Sequence, residues 1–261
     1  MYFWDLKVNV MLDTVLQKRY LNKVQLQIMV RKRWAYLRYI QIREGLIEAL
    51  KTAGEIKSFL GVGCGSGLTE VALALEFPEI KFHLTDIDTN TKIQQRLGIR
   101  MTTEWAIPNV SFGTYDTLSA SPESYDLVAS IEVLEHIEAD KIAAINMRAA
   151  SRKYVFALVP FATHETNMNP KMRESVWKNH QHYRVGYNAD SIQEIFPNIT
   201  ILRGCYWNDA GLKLRQKIEH LSDEEIRVLF PHLTQLATAD IRNSIPSADG
   251  KCHGMWILSK A

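Results

Sequence analysis

Phe59-Leu60-Gly61-Val62-Gly63-Cys64-Gly65-Ser66-Gly67 is the stretch that decides the fold. The apolar run IKSFLGV (56–62) reads as a strand and GLTEVALALEF (67–77) as a helix, so the glycines fall on the junction between them. Glycine lets a backbone turn tightly and approach a ligand closely, and the helix that follows aims its first unpaired N–H groups at whatever sits there.

Outward from this junction the same grammar repeats. IKFHLT (80–85) reads as the next strand, TNTKIQQRLG (89–98) as a helix stopped by Gly98, VSF (110–112) and YDLVASI (125–131) as strands, AAINMRAA (143–150) as a helix and YVFALV (154–159) as a strand. Strand and helix alternating at this spacing predict a parallel sheet covered on both faces. Before it, residues 5–52 contain no proline and repeat apolar residues at helical spacing, which predicts two helices. After it, residues 160–186 are polar, rich in His and Asn and without a period, which predicts a functional lid. A helix (189–196), a strand (199–206), a long helical region (about 209–242) and a last strand (253–259) complete the pattern. The expected organisation is an N-terminal helical segment (1–54), a ligand-binding core (55–160), and a lid, helical insertion and closing strands (161–261).

Composition narrows the class. The 261 residues are 46% hydrophobic and 23% charged, ordinary for a globular protein, and no run approaches the roughly 20 apolar residues of a membrane helix. Three cysteines without a CxxC pair argue against a disulfide framework or a structural zinc site, so a reducing cytoplasm is the expected setting. The net charge of +2 implies no polyanionic partner, although residues 1–44 hold nine Lys/Arg against three acids. A solvated helix face is the simpler reading of that arm; an RNA-binding arm is the alternative, and a nucleic-acid partner is not expected.

Two acidic positions follow the glycine loop. Asp86 ends the second strand, where a carboxylate can accept from both ribose hydroxyls, and Asp116 lies in Thr114-Tyr115-Asp116-Thr117 after the third. Each has a plain alternative: Asp86 as a helix cap, Asp116 as a turn residue, Gly67 as a packing glycine. The glycine spacing is GxGxG rather than the GxGxxG of dinucleotide sites. LGVGCGSG, TDID and YDLVASIEVLEHI, in that order, resemble the class I S-adenosylmethionine-dependent methyltransferases, in the small-molecule and quinone-type branch with a VLEH motif, over residues 55–160. The resemblance implies a Rossmann-like α/β fold, with the N-terminal helices and the C-terminal insertion forming a cap. It implies S-adenosylmethionine as cofactor, bound by Gly61, Gly63, Cys64, Gly65 and Gly67 at the methionine part, Asp86 and Ile87 at the ribose, Asp116 and Thr117 at the adenine, and Ser130 and Ile131 near the methyl group. One departure stands out: the family usually carries an acid where this chain has Gly61, and Glu70 is the residue placed to substitute for it in part.

The resemblance also implies a small-molecule acceptor, methylated on oxygen or nitrogen beneath the lid. His182 and His164 are the expected catalytic histidines, since His is the commonest general base. His136, His180, Tyr183, Arg184 and Tyr187 are expected at the acceptor. His180-x-His182 is also half of a metal site that would need His164 or Glu165 as a third ligand, but two histidines do not define a site and no metal is expected. A non-catalytic partner that keeps the fold is the remaining alternative. Monomer and homodimer are both compatible with the sequence.

Overall fold

The computed structural model describes residues 17–26, 28, 33–87, 95–121, 123–206 and 252–261, with scattered positions between 221 and 246. Residues 17–26 are helical, and α1 (Arg33–Ala53) follows. Tyr39, Ile42, Leu46 and Ala49 recur along α1 every three or four residues and are fully buried, against α2 (Leu68–Glu76), β4 (Tyr125–Ile131), β5 (Ser151–Pro160) and β7 (Cys252–Lys260). Ile42 and Leu46 each stabilise the fold by roughly 1.5–3 kcal/mol through this burial. Gly45 stands within this helix without breaking it. A side chain there would run into the ring of Phe156 on β5, so the glycine is what lets α1 lie this close to the sheet.

The remaining elements are β1 (Ser58–Val62), β2 (Lys81–Asp86), α3 (Arg96–Glu104), β3 (Val110–Thr114), α4 (Asp140–Ala150), α5 (His164–Met168), α6 (Pro170–His180), α7 (Ala189–Ile195) and β6 (Ile199–Tyr206). The seven strands form one sheet in the order β3-β2-β1-β4-β5-β7-β6. The first five are parallel, and β7 runs antiparallel between β5 and β6. This is the expected Rossmann-like α/β sheet. Six of the seven residues of β4 are buried, because a central parallel strand is covered on both faces. The chain runs outward from β1 to β3 and then returns to β4, so the strand order reverses between β1 and β4. At such a switch point a crevice opens beyond the carboxyl ends of the strands.

Two expectations are corrected. Of the helix expected over 89–98, residues 89–94 lie outside the described residues; Gly98 does not end a helix but stands within α3, which runs from Arg96 to Glu104. Gly98 is a packing glycine, since a side chain there would strike the carbonyl of Ser66 and the ring of Phe112. Residues 160–186 are not a featureless loop, because α5 and α6 lie within them. Neither helix buries a residue, so there is no apolar face to write a period into the sequence. Their local signals are caps: the Thr163 side chain accepts from Thr166 N, and Asn169 accepts from Lys171 N and Met172 N ahead of Pro170 in the first turn. Most of the helical insertion expected over 209–242 lies outside the described residues.

Candidate active site

The glycine loop leaves β1 at the switch point. Gly63, Gly65 and Gly67 have φ of 63°, 55° and 68°, the left-handed region that disfavours a side chain. A Cβ on Gly63 would also lie 2.5 Å from Val133 Cγ2. The loop is pinned by its neighbours in the sheet: Cys64 N–H donates to Thr85 O (2.9 Å), and Gly65 N–H donates to Asp86 Oδ2 (2.8 Å). Asp86 Oδ1 accepts from Ile87 N–H (2.8 Å), so each carboxylate oxygen keeps a further lone pair. Burial and Glu70 push the Cys64 thiol well up, which leaves its backbone, not its sulfur, as the useful part. Gly61 has an ordinary φ, and it is the backbone carbonyl it presents to Thr85 Oγ1 (2.9 Å) that fixes it.

Asp116 is exposed, and its Oδ1 accepts from Leu118 N–H (2.9 Å), the geometry of a turn residue. Thr117 is buried, with its carbonyl held by Asn146 Nδ2 (2.8 Å). Ser130, 1% exposed at the end of β4, has a hydroxyl with no hydrogen-bond partner among the described residues.

Beyond Ile131 the backbone changes hand. Glu132 has φ 49°, a strained value for a residue with a side chain, and a short 3-10 turn follows over Leu134–His136. The turn sends Leu134 and Glu135 into the core and leaves His136 outside. Glu135 is 0% exposed, and neither of its oxygens meets a donor among the described residues. Burial outweighs the nearness of its own backbone N–H, of Arg38 and of Arg184, and pushes this carboxyl up to about 8.

The lid brings His182 to the same place. α6 ends at Gln181, which takes a left-handed conformation (φ 58°) and turns the chain back. Tyr183 N–H then donates to Glu135 O (2.8 Å), and the His182 ring meets His136 edge to face, 4.4 Å between centroids. His180 lies 5.3 Å from His182 and is exposed. Burial, with His136 and His180 close by, lowers His182 to about 4. Burial likewise lowers His136, against the opposing carbonyl of Gln181.

The other lid residues stand further off. Arg184 pairs with Asp140 (3.0 Å), and Tyr187, 1% exposed, donates its hydroxyl to the same carboxylate (2.8 Å). Both are therefore engaged in tying the lid to α4. Tyr183 is 40% exposed and packs on Trp177. His164 is exposed on α5, and neither it nor Glu165 joins the His136–His182 cluster.

Three residues of the site were missed by the sequence reading. Arg38 reaches in from α1 and pairs with Glu132, and Glu70 and Glu135 lie near enough to oppose the fall that burial causes in Arg38, to about 10. Arg38 was hidden as one charge among many in a basic arm. Glu132 and Glu135 were hidden in a run read as strand and helix start; an acid directly beside His136 in that run was the available signal.

The family described as "Methyltransferase domain" matches residues 60–152, the stretch from the glycine loop through β4 to the start of β5. Residues 60–152 of the chain form a methyltransferase domain. S-adenosylmethionine is the cofactor that such a domain uses. No curated protein matches the sequence. Among solved structures, the methyltransferase domain and its flanking segments are similar to phosphoethanolamine N-methyltransferase 2 of Haemonchus contortus, solved with S-adenosyl-L-methionine (TM-score 0.54, 18% identity, 90% of this chain and 59% of that one). They are also similar to magnesium protoporphyrin IX methyltransferase of Synechocystis PCC 6803 (0.53, 12%, 88% and 86%) and to an O-methyltransferase from a polyketide multienzyme of Brevibacillus brevis (0.51, 17%, 90% and 79%). At these identities the likeness is one of fold. No described helix is long and apolar enough to cross a membrane.

Proposed function

We propose that this methyltransferase transfers the methyl group of S-adenosylmethionine to an oxygen or nitrogen of a small molecule held between the end of β4 and the lid. The observation that carries the reading is the hydrogen bond from Gly65 N–H to Asp86, which joins the glycine loop to the acidic end of β2 at the switch point. The residues fit the cofactor. Val133 and Phe112 leave no room for a side chain on Gly63 or Gly67, which keeps the loop bare backbone, and the Ser130 hydroxyl lacks a partner among the described residues.

When bound, S-adenosylmethionine supplies an electrophilic methyl carbon on a sulfonium. The work of the protein is to hold a nucleophile close and in line, which contributes several kcal/mol. Backbone groups of Gly63, Cys64, Gly65 and Gly67 line the methionine part, and the buried Glu70 provides the acid that Gly61 does not. Asp86 and Ile87 serve the ribose, Thr117 and the Asp116 turn the adenine, Ser130 and Ile131 the edge near the methyl group. On the acceptor side, His136, His180 and Tyr183 border the entrance, while Arg184 and Tyr187 hold the lid in place. His182, rather than the exposed His164, is the lid histidine assigned to the acceptor. A neutral ring with an unpartnered nitrogen either takes the acceptor's proton or holds whatever does. The N-methyltransferase and O-methyltransferase among the similar structures support an acceptor atom of either kind.

Calorimetric titration with S-adenosylmethionine tests the cofactor site. Asp86→Ala removes a charged acceptor, worth about 1.5–3 kcal/mol, and is expected to weaken binding roughly 10- to 100-fold. Unchanged affinity in Asp86→Ala would overturn the assignment. Methyl-tritiated cofactor incubated with fractionated extract then reports the acceptor: label in the small-molecule pool is expected, and label confined to RNA would replace the small-molecule reading.

A further inference from the structure

We propose that Glu135, His136 and His182 bind a divalent transition-metal ion, and that this ion holds the hydroxyl oxygen of the methyl acceptor. The metal site stands on its own geometry; the acceptor role rests on the function proposed above.

The three side chains come from two separate segments. Glu135 and His136 lie in the turn after β4, and His182 lies beyond α6. Each offers one donor atom, and the three atoms lie within 4.8 Å of one another. Glu135 is 0% exposed, and both its oxygens lack a hydrogen-bond partner among the described residues. His182 Nδ1 is buried and lacks one as well. A buried carboxyl with no hydrogen-bond partner is costly to hold in either protonation state, and native structures leave few such polar groups without a partner or an ion. Two nearby cations are already engaged elsewhere: Arg38 pairs with Glu132, and Arg184 pairs with Asp140. A metal ion meets the carboxylate and the unpartnered imidazole nitrogen at once.

The donor set selects the class of ion. Two imidazole nitrogens and one carboxylate oxygen suit Zn²⁺, Co²⁺ or Fe²⁺, whereas Mg²⁺ and Ca²⁺ prefer all-oxygen shells. Three protein ligands leave coordination positions open, as in catalytic rather than structural sites. One of these takes the acceptor's hydroxyl oxygen and lowers its pKa, so that the proton leaves to water. The oxygen lone pair then forms the new O–CH₃ bond, the S–CH₃ bond breaks, and its electron pair remains on sulfur. A metal-held acceptor is thus a hydroxyl compound rather than an amine.

The test uses the tag-free full chain, stripped with chelator and titrated with Co²⁺ alone, read by visible d–d absorption. One saturable equivalent is expected, with affinity falling at least about 10-fold in His182→Asn and in Glu135→Gln, and unchanged in His164→Ala, which lies outside the cluster. Circular dichroism checks that each variant is folded; His182, only partly buried, keeps the test usable where Glu135→Gln does not fold. Absence of Co²⁺ binding, or equal binding in His182→Asn, overturns the site. Calorimetry with S-adenosylmethionine on the same samples separates the two claims. Cofactor bound without metal rejects this inference and leaves the proposed function standing. Metal bound without cofactor supports the metal site and rejects the proposed function, and with it the acceptor role.

Discussion

Glu70, in the first turn of α2, stands against Gly61 of β1: a side chain added at Gly61 would begin 3.6 Å from the Glu70 Cγ. The carboxylate therefore reaches, from the helix, the place where a side chain on the strand would put one. Gly61 has an ordinary φ and tolerates a side chain, the nearest obstacle being the flexible Leu84 Cδ2 at 3.2 Å. Glu70→Ala is expected to weaken S-adenosylmethionine binding about 10-fold or more. Gly61→Asp in that background is expected to recover much of the loss. Gly61→Asp alone is expected to weaken binding by itself, since it sets two carboxylates side by side. Titration calorimetry on the four proteins measures the exchange; additive losses would show that the two positions are not interchangeable.

Burial raises Glu70 to about 7, against its own backbone N–H and Arg38, with Asp86 adding to the rise and Cys64 also facing it. Between its unfolded value of 4.5 and about 7, the folded state binds the extra proton. Stability contributed by the neutral form is thus present at low pH and lost as pH rises through that window. Glu70→Gln is expected to stabilise the cofactor-free protein by up to about 3 kcal/mol above pH 7. Near pH 4 it is expected to change nothing. Thermal melts of both proteins across pH 4 to 8 check this, and a difference constant with pH would refute it.

Gly45→Ala sets two effects against each other. Alanine gains about 1 kcal/mol of helix propensity in α1. Its methyl group would meet the Phe156 ring, and overpacking of this kind costs typically 1–3 kcal/mol. The ring is fully buried and tilted against Trp256, 5.6 Å between centroids, with little room to retreat. A net loss of about 1 kcal/mol is expected in a urea titration. A net gain would mean that α1 shifts freely on the sheet.

The lid is tied to the core through Asp140, which accepts from Tyr187 (2.8 Å) and pairs with Arg184 (3.0 Å). Tyr187→Phe keeps the ring and removes one buried donor, which costs about 1–2 kcal/mol. The expected readout is faster amide exchange over residues 182–187 with the sheet unaffected. Exchange that rises everywhere would show that the tie holds the whole domain and not the lid alone.

The sheet was legible because parallel strands buried on both faces are continuous apolar runs, as in Leu127, Val128 and Ala129. The glycine loop was legible because Gly63, Gly65 and Gly67 occupy a conformation that few other residues accept. The lid helices were not, since α6 buries nothing and so carries no period. Glu135 escaped because a polar residue within an apolar run reads as solvent-facing; only the 3-10 turn after Glu132 sends it inward. Arg38 escaped because nothing local to α1 tells which of its charges points at a crevice built by residues a hundred positions away.

β7 occupies the gap between β5 and β6, and among the described residues β6 pairs with no other strand. During synthesis, therefore, a nascent chain that has already emerged through Tyr206 holds β5 with one bare edge and β6 with none of its partners. About fifty further residues must leave the ribosome before Cys252–Lys260 can slot between them. Over that interval two apolar strand edges are open to other chains, which makes this the stage of translation at which a holdase chaperone would matter most.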